Sequence, residues 1–309
     1  MLIGFAWLAL IVAIVALPAI WLALRPARSK WVALAVVFYT LMASIAALYL
    51  VPWYHYSYYV LPVLLLLALT ASLIAILRHR GSTWVRPGAI GVILSIVLLL
   101  GGAYFAFTNV RAWSAAQPPE QVVDMQFPLE AGTYAVTRGG SAAPLQAGHA
   151  RNPSQHYAVD IVALNSGMFQ WQDYLRSEDF TRSEIWDRTV VAPCSGTAIW
   201  VRDGLVDSAE NDEERPAGNV VGLDCDGITV NLAHMRQGSV LIEEGDQVEA
   251  GQPLGRIGMS GRTRGPHLHI HAERGPLKYD ESDNTPVAIS FDGGFPLTGQ
   301  IFISDQDGE

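Results

Sequence analysis

A chain of 309 residues with 20 Lys and Arg against 29 Asp and Glu is acidic overall, and half of it is hydrophobic. The charges are segregated: no Asp or Glu precedes Glu120, and that stretch holds only seven cations, Arg25, Arg28, Lys30, Arg78, Arg80, Arg86 and Arg111. The remaining 13 cations face all 29 acids, a formal charge of −16, which excludes the clustered positive surface that nucleic-acid binding requires.

Four apolar runs lie between the early charge clusters, at Leu2 to Leu24, Trp31 to Val51, Val60 to Leu77 and Ala89 to Phe107. Each is close to the roughly 20 residues that a helix needs to cross a bilayer, and none contains a charged residue. They predict an all-α transmembrane region of four helices over residues 1–110. The first run has no basic leader and is too long for a signal peptide, so it reads as a retained span. Pro18 and Pro62 are candidate kinks. The loops RPARSK and RHRGSTWVRPG are basic and PWYHYSYY is not, which places the first two on the cytoplasmic side. Both the N-terminus and everything after Arg111 then lie outside the cytoplasm. Spans without ionisable groups point to an anchor rather than a conduit.

Residues 111–128, with Gln117-Pro118-Pro119, read as an exposed linker to a domain over 129–309. In that domain short alternating or β-branched segments are bounded by Gly, Pro, Asn or Asp: Thr133 to Thr137, Tyr157 to Ala163, Thr189 to Val191, Thr197 to Arg202, Asn219 to Leu223, Ile228 to Ala233, Gln252 to Ile257 and His267 to Ala272. This spacing predicts a mainly-β domain, an antiparallel sheet or sandwich rather than βαβ units. Two polar insertions interrupt it: Asn165 to Arg188, with Trp171, Tyr174, Phe180 and Trp186, and Asp203 to Gly218. Such insertions are either functional lids or surface loops.

Cys194 and Cys225 are the only cysteines. An exterior location favours a disulfide between them, with two buried thiols as the alternative. Neither stands in the C-x-x-C spacing of a metal site.

Six of the eight histidines fall in this second region: His149, His156, His234, His267, His269 and His271. The last three recur at every second position in SGRTRGPHLHIH. On a strand they share one face, which suits a metal site or an acid/base pair. An activating zinc takes three His or carboxylate ligands and leaves a position open, and GHARNPSQHYAVDIV and NLAHM hold further candidates.

From about Gly139 to Ala272 the chain resembles the lysostaphin or LytM-type zinc metallo-endopeptidases of the duplicated hybrid motif fold. The resemblance rests on a His preceding Y-A-x-D, then A-P-x-S-G-T, G-N-x-V, L-A-H-M, E-G-D-Q-V-x-A-G-Q-P-L-G and S-G-x-T-x-G-P-H-L-H. It implies Asp160 and His269 as zinc ligands, His234 and His267 as catalytic residues, and one further His ligand. His156 gives the compact H-x-x-x-D spacing, while His149 fits H-x-x-x-P-x-Q-x-Y-A-x-D through Pro153, Gln155, Tyr157, Ala158 and Asp160. On a continuous strand His156 and Asp160 would stand ~13 Å apart, whereas Asn152-Pro153-Ser154 is turn chemistry able to bring His149 back. His149 is the expected ligand. His271 stands where the resemblance has a non-ligand polar residue and is expected beside the site or at the surface. No H-E-x-x-H helix supplies a glutamate base. The resemblance thus implies a Zn2+ cofactor and peptidoglycan peptides as substrate, and with the four apolar runs a multi-pass place in a bacterial plasma membrane is expected. Its alternative is an inactive wall-binding or amidase-activating domain on the same anchor.

Overall fold

Charge-free apolar runs form helices and turn-bounded alternating segments form strands in the computed structural model, which describes residues 2–24, 29–79, 84–170, 179–275 and 284–306. The chain divides into two units, Met1–Trp113 and Ser114–Glu309.

The first unit contains helices α1 (Leu2–Val15), α2 (Leu17–Leu24), α3 (Lys30–Leu50), α4 (Val60–His79) and α5 (Ala89–Ala115). Helices α3, α4 and α5 are each long and apolar enough to cross a membrane, and Ala6–Val15 with Leu17–Leu24, bent by 54°, passes the same test together as a broken span or a re-entrant loop. The bend falls just before Pro18, whose ring conflicts with the carbonyl four residues back. Pro62 sits in the first turn of α4, where a missing N–H costs nothing, and no break follows. Small residues, among them Ala19, Ala23, Ala47, Ala68 and Ala71, fill the buried contacts. Large ones such as Ile93 and Leu100 face outward, as helix packing in lipid requires. Trp53 is buried and its Nε1–H donates to the Ala47 carbonyl at 2.8 Å. Arg25, Arg28 and Arg80 of the basic loops lie outside the described residues.

The second unit holds twelve strands among its described residues: β1 (Val122–Met125), β2 (Gly132–Arg138), β3 (Val159–Ala163), β4 (Thr189–Val191), β5 (Gly196–Arg202), β6 (Asn219–Asp224), β7 (Thr229–Met235), β8 (Gln247–Val248), β9 (Pro253–Arg256), β10 (Leu268–Arg274), β11 (Thr285–Phe291) and β12 (Ile301–Ser304). Ten form one sheet in the order β12-β2-β3-β10-β7-β6-β5-β8, with β11 beside β10 and β1 beside β11; β4 and β9 form a separate ladder. Pairing is antiparallel except between β1 and β11. Val190 and Leu254 of the small ladder share one core with Ile161, Leu232, Leu268 and Ile270 of the large sheet.

One feature differs from the sequence reading, and a second describes an insertion whose role the sequence left open. Part of the predicted linker is built in: α5 runs on to Ala115, and Val122–Met125 pairs with Ala288–Phe291. The insertion at Asp203 to Gly218 is pinned rather than loose. Asp203 accepts from the Gly238 and Val240 amides, and Asp207 from those of Gln237 and Met259. At its far end Gly218 (φ +64°) and Gly261 (φ +85°) pass so closely that a Cβ on either would strike the other segment's backbone. Of the other insertion, Trp171 and Tyr174 lie outside the described residues, while Phe180 packs on Trp186 at 4.9 Å between ring centroids.

Candidate metal centre

Strand β10 carries the site because alternation sorts its side chains. Leu268, Ile270 and Ala272 enter the core, leaving His269, His271 and Glu273 on the opposite face. That face is also buried, so its polar groups must find partners there. The β3 register sets Asp160 directly across from His269, and the β7 register sets Ala233 on its other side.

Two bulges bring further groups to this row. The β6–β7 pairing passes from Ala233 to Met235 and leaves His234 unpaired at φ +65°. This re-aims a side chain that strict alternation would bury in the core. The His234 ring lies 4.7 Å from that of His267 and 5.9 Å from that of His269. A second bulge, between Val136 and Arg138, places Arg138 opposite Asp160, with Nε 3.4 Å from Oδ2.

His149 arrives from the turn-rich segment before β3, anchored by buried Gln146, whose side-chain amide donates to the Ala158 carbonyl. His149 Nε2 is 3.0 Å from Asp160 Oδ2, and His269 Nδ1 is 3.0 Å from Asp160 Oδ1. The ligand-type atoms of His149, Asp160 and His269 all lie within 4.8 Å of one another, as do those of His234, His267 and His269. His156 is turned away: its Nε2 pairs with the Ser141 carbonyl at 2.9 Å and its ring packs on Tyr157.

Electrostatics fixes the charge states. Burial alone would raise the Asp160 carboxyl, but the neighbouring His149 and His267, with hydrogen bonds from His149 and His269, outweigh it and hold it well below the ordinary carboxylate range. Burial, reinforced by His267 and His269, pushes His234 well below the ordinary imidazole value. His269 is lowered by burial against the pull of Asp160. His271 is lowered strongly by burial, then by His269 and His149. These shifts favour neutral rings at His234, His269 and His271 beside an ionised Asp160. Two imidazole nitrogens and a carboxylate are a donor set that fits zinc with a coordination position left open.

Residues 187–283 match the sequence profile of peptidase family M23. Over that segment the chain is similar to peptidase family M23. The matched stretch contains His234, His267 and His269, and Asp160 and His149 precede it. Among solved structures the chain is similar to a Pseudomonas aeruginosa protein assigned to peptidase M23 (17% identity over 56% of this chain and 51% of that one, TM-score 0.30). It is also similar to a zinc-containing peptidase from Vibrio cholerae (18% identity, 49% of this chain and 35% of that one, TM-score 0.26). A third is the antimicrobial peptidase lysostaphin from Staphylococcus simulans (22% identity, 47% and 44%, TM-score 0.30). This chain spans about half or less of the length of each.

Within the M23 segment, Ser260 to His267 frames two imidazoles. The Ser260 carbonyl is 2.9 Å from His234 Nδ1, and the Gly265 carbonyl is 2.9 Å from His267 Nδ1. Carbonyls only accept, so both Nδ1 atoms carry a proton. His267 Nε2 stands 3.6 Å from Asp160 Oδ1. Cys194 and Cys225 are disulfide-bonded, with Cα atoms 6.1 Å apart, after β4 and β6 respectively.

Of the two places the sequence left open for His271, beside the site or at the surface, the structure shows the first. His271 is buried on Glu273, Asn231 and His269, and Asn231 in turn meets Trp200. Sequence reasoning missed Arg138, Asn231 and Glu273. The period-two pattern running on from His269 through His271 to Glu273 was the signal for the last.

Proposed function

We propose that this chain is a membrane-anchored zinc metallo-endopeptidase that hydrolyses peptide bonds of bacterial peptidoglycan. One observation carries the reading: the donor trio His149, Asp160 and His269 shares His269 with a second close group that contains the imidazoles of His234 and His267. His149, Asp160 and His269 would hold the zinc, which supplies Lewis acidity toward the scissile carbonyl and the attacking water.

The remaining chemistry belongs to the chain. His234 and His267, oriented by the Ser260 and Gly265 carbonyls at Nδ1, would take the proton of the attacking water at Nε2. The resulting imidazolium donates to the oxyanion or returns the proton to the leaving amine. Arg138, at the rim of the cluster, balances Asp160 before the metal enters. Residues 1–110 anchor the domain, and the basic loops set the N-terminus and the peptidase domain on the extracytoplasmic side, where the wall lies. Cys194 and Cys225 would pair under the oxidising conditions found there.

The test is cleavage of purified peptidoglycan by the full-length protein in detergent, with and without chelator. Chelator-sensitive release of free amino groups is expected. A wild-type protein that holds zinc and binds peptidoglycan without cutting it would favour the inactive wall-binding reading instead.

A further inference from the structure

Strand β2 ends at Arg138, and the break in its pairing with β3 gives that residue its place. The register passes from Val136 opposite Ile161 to Arg138 opposite Asp160, which leaves Thr137 out of the ladder with its hydroxyl on the Asp160 carbonyl at 3.2 Å. Arg138 thus stands beside the metal trio, with Nε 3.4 Å from Asp160 Oδ2. A neighbouring segment holds the guanidinium there. A Cβ on Gly148 would strike Nη1, Cζ and Cδ of Arg138, so the side chain lies along the backbone just before His149 on a path that only glycine leaves open. Gly148 has no left-handed φ, so what it supplies is space and not backbone freedom.

Held this way, the guanidinium has donors to spare. Among the described residues Asp160 is the only ion-pair partner of Arg138, whose side chain is 44% exposed and donates no hydrogen bond to any of them. Other arginines of this acid-rich unit have carboxylates of their own: Arg188 has Glu130, Arg215 has Asp212, Arg236 has Asp187 and Arg262 has Glu213. The Asp160 carboxylate is shared, with Oδ2 facing His149 and Oδ1 facing His269, both at 3.0 Å. Asp160 is also the only anion of the trio, so a divalent ion there takes up the charge on which Arg138 relies. An exposed cation beside such an ion calls for an anion from outside the chain, and a planar guanidinium with unused Nη donors matches a carboxylate.

We propose that Arg138 binds a free carboxylate of the peptide substrate, so that the site prefers peptides with an acidic side chain or a free C-terminus. The proposal rests on the reading of His149, Asp160 and His269 as the metal trio of a peptidase. Asp160 and Gly148 position the guanidinium, and the substrate carboxylate gives it the counter-charge. Arg138 is a binding and specificity residue and moves no proton.

The experiment is calorimetric titration of the zinc-loaded, full-length protein in detergent, in a His234→Asn or His267→Asn background that leaves the probes intact, with zinc content measured throughout. The probes are acetyl-trialanine, its C-terminal amide and acetyl-Ala-Glu-Ala amide. At least one carboxylate probe is expected to bind about 10- to 100-fold more tightly than the uncharged amide, the gain of a charge-assisted pair. Which of them does so tells a chain-end carboxylate from a side-chain one. Adding Arg138→Gln should remove that preference with zinc retained. Arg138→Lys, which keeps the charge without the fork, should restore part of it. Gly148→Ala should reproduce Arg138→Gln by displacing the side chain. A preference that survives Arg138→Gln overturns the proposal, since the metal alone would then hold the carboxylate. Equal affinity for all the probes, or no binding of either carboxylate probe, overturns it too. So does loss of zinc in Arg138→Gln, which would make the guanidinium a support of the trio. If Gly148→Ala fails to fold, the Arg138 variants still decide. Peptidoglycan cleavage by the wild type separates the two readings: a carboxylate preference without cleavage keeps the proposal and removes the peptidase. Cleavage without a carboxylate preference does the reverse.

Discussion

The two units bury opposite things. The helical unit buries alanines and leaves large apolar side chains such as Ile93 and Leu100 outward, while the sheet unit buries Asp160, His234, His269, His271 and Glu273 beside its apolar core. An apolar exterior is stable only in an apolar solvent, so the first arrangement is compatible with a membrane anchor. Buried ionisable groups persist only when they are paired, so the second is that of a site. Both units use small residues for close approach, but one packs helices with them and the other threads a loop past the site.

The comparison is broken most directly at His234. His234→Asn, a residue that tolerates φ +65°, is expected to lower peptidoglycan cleavage by about 10²- to 10⁴-fold with zinc still bound. Assay of kcat alongside zinc content checks it. Next comes packing: Ile270→Ala in the sheet core should cost about 2–5 kcal/mol in denaturant unfolding of the sheet unit. The outward Leu100→Ala in α5 should leave that transition within about 0.5 kcal/mol of wild type.

The smallest effect is one of pH. His234, faced by His267, His269 and Asp160, has a folded value below its unfolded one, as do His269 and His271. The unfolded chain then binds more protons below about pH 6.5, so this contribution to stability is present above that pH and lost as pH falls through the window beneath it. The thermal midpoint of the chelated protein should therefore drop between pH 7.5 and 5.5, and the slope should flatten in His234→Asn. A midpoint independent of pH would show that these rings titrate as they do when unfolded.

Much of this was legible in the sequence because it was periodic. Runs free of charge became helices, and eight alternating segments became strands with ends shifted by at most two residues. Of the period-two histidines, His269 and His271 share a face of β10, while His267 stands just before the strand. What was hidden is what breaks the period. Alternation puts Asn231, Ala233 and Met235 together and sends His234 the other way, and only the bulge at φ +65° reverses that. Strand β1 was hidden by the prolines before it, and β11 by Pro286 near its start. The burial of His271 depends on Asn231, Trp200 and Glu273, partners that no local pattern connects.

The central claim is a metal centre made by His149, Asp160 and His269, and zinc stoichiometry of the full-length protein tests it most directly. The account predicts one zinc per chain in the wild type and in His156→Ala, and loss of that zinc in His149→Ala, Asp160→Ala and His269→Ala. Full occupancy in His149→Ala beside loss in His156→Ala would contradict it.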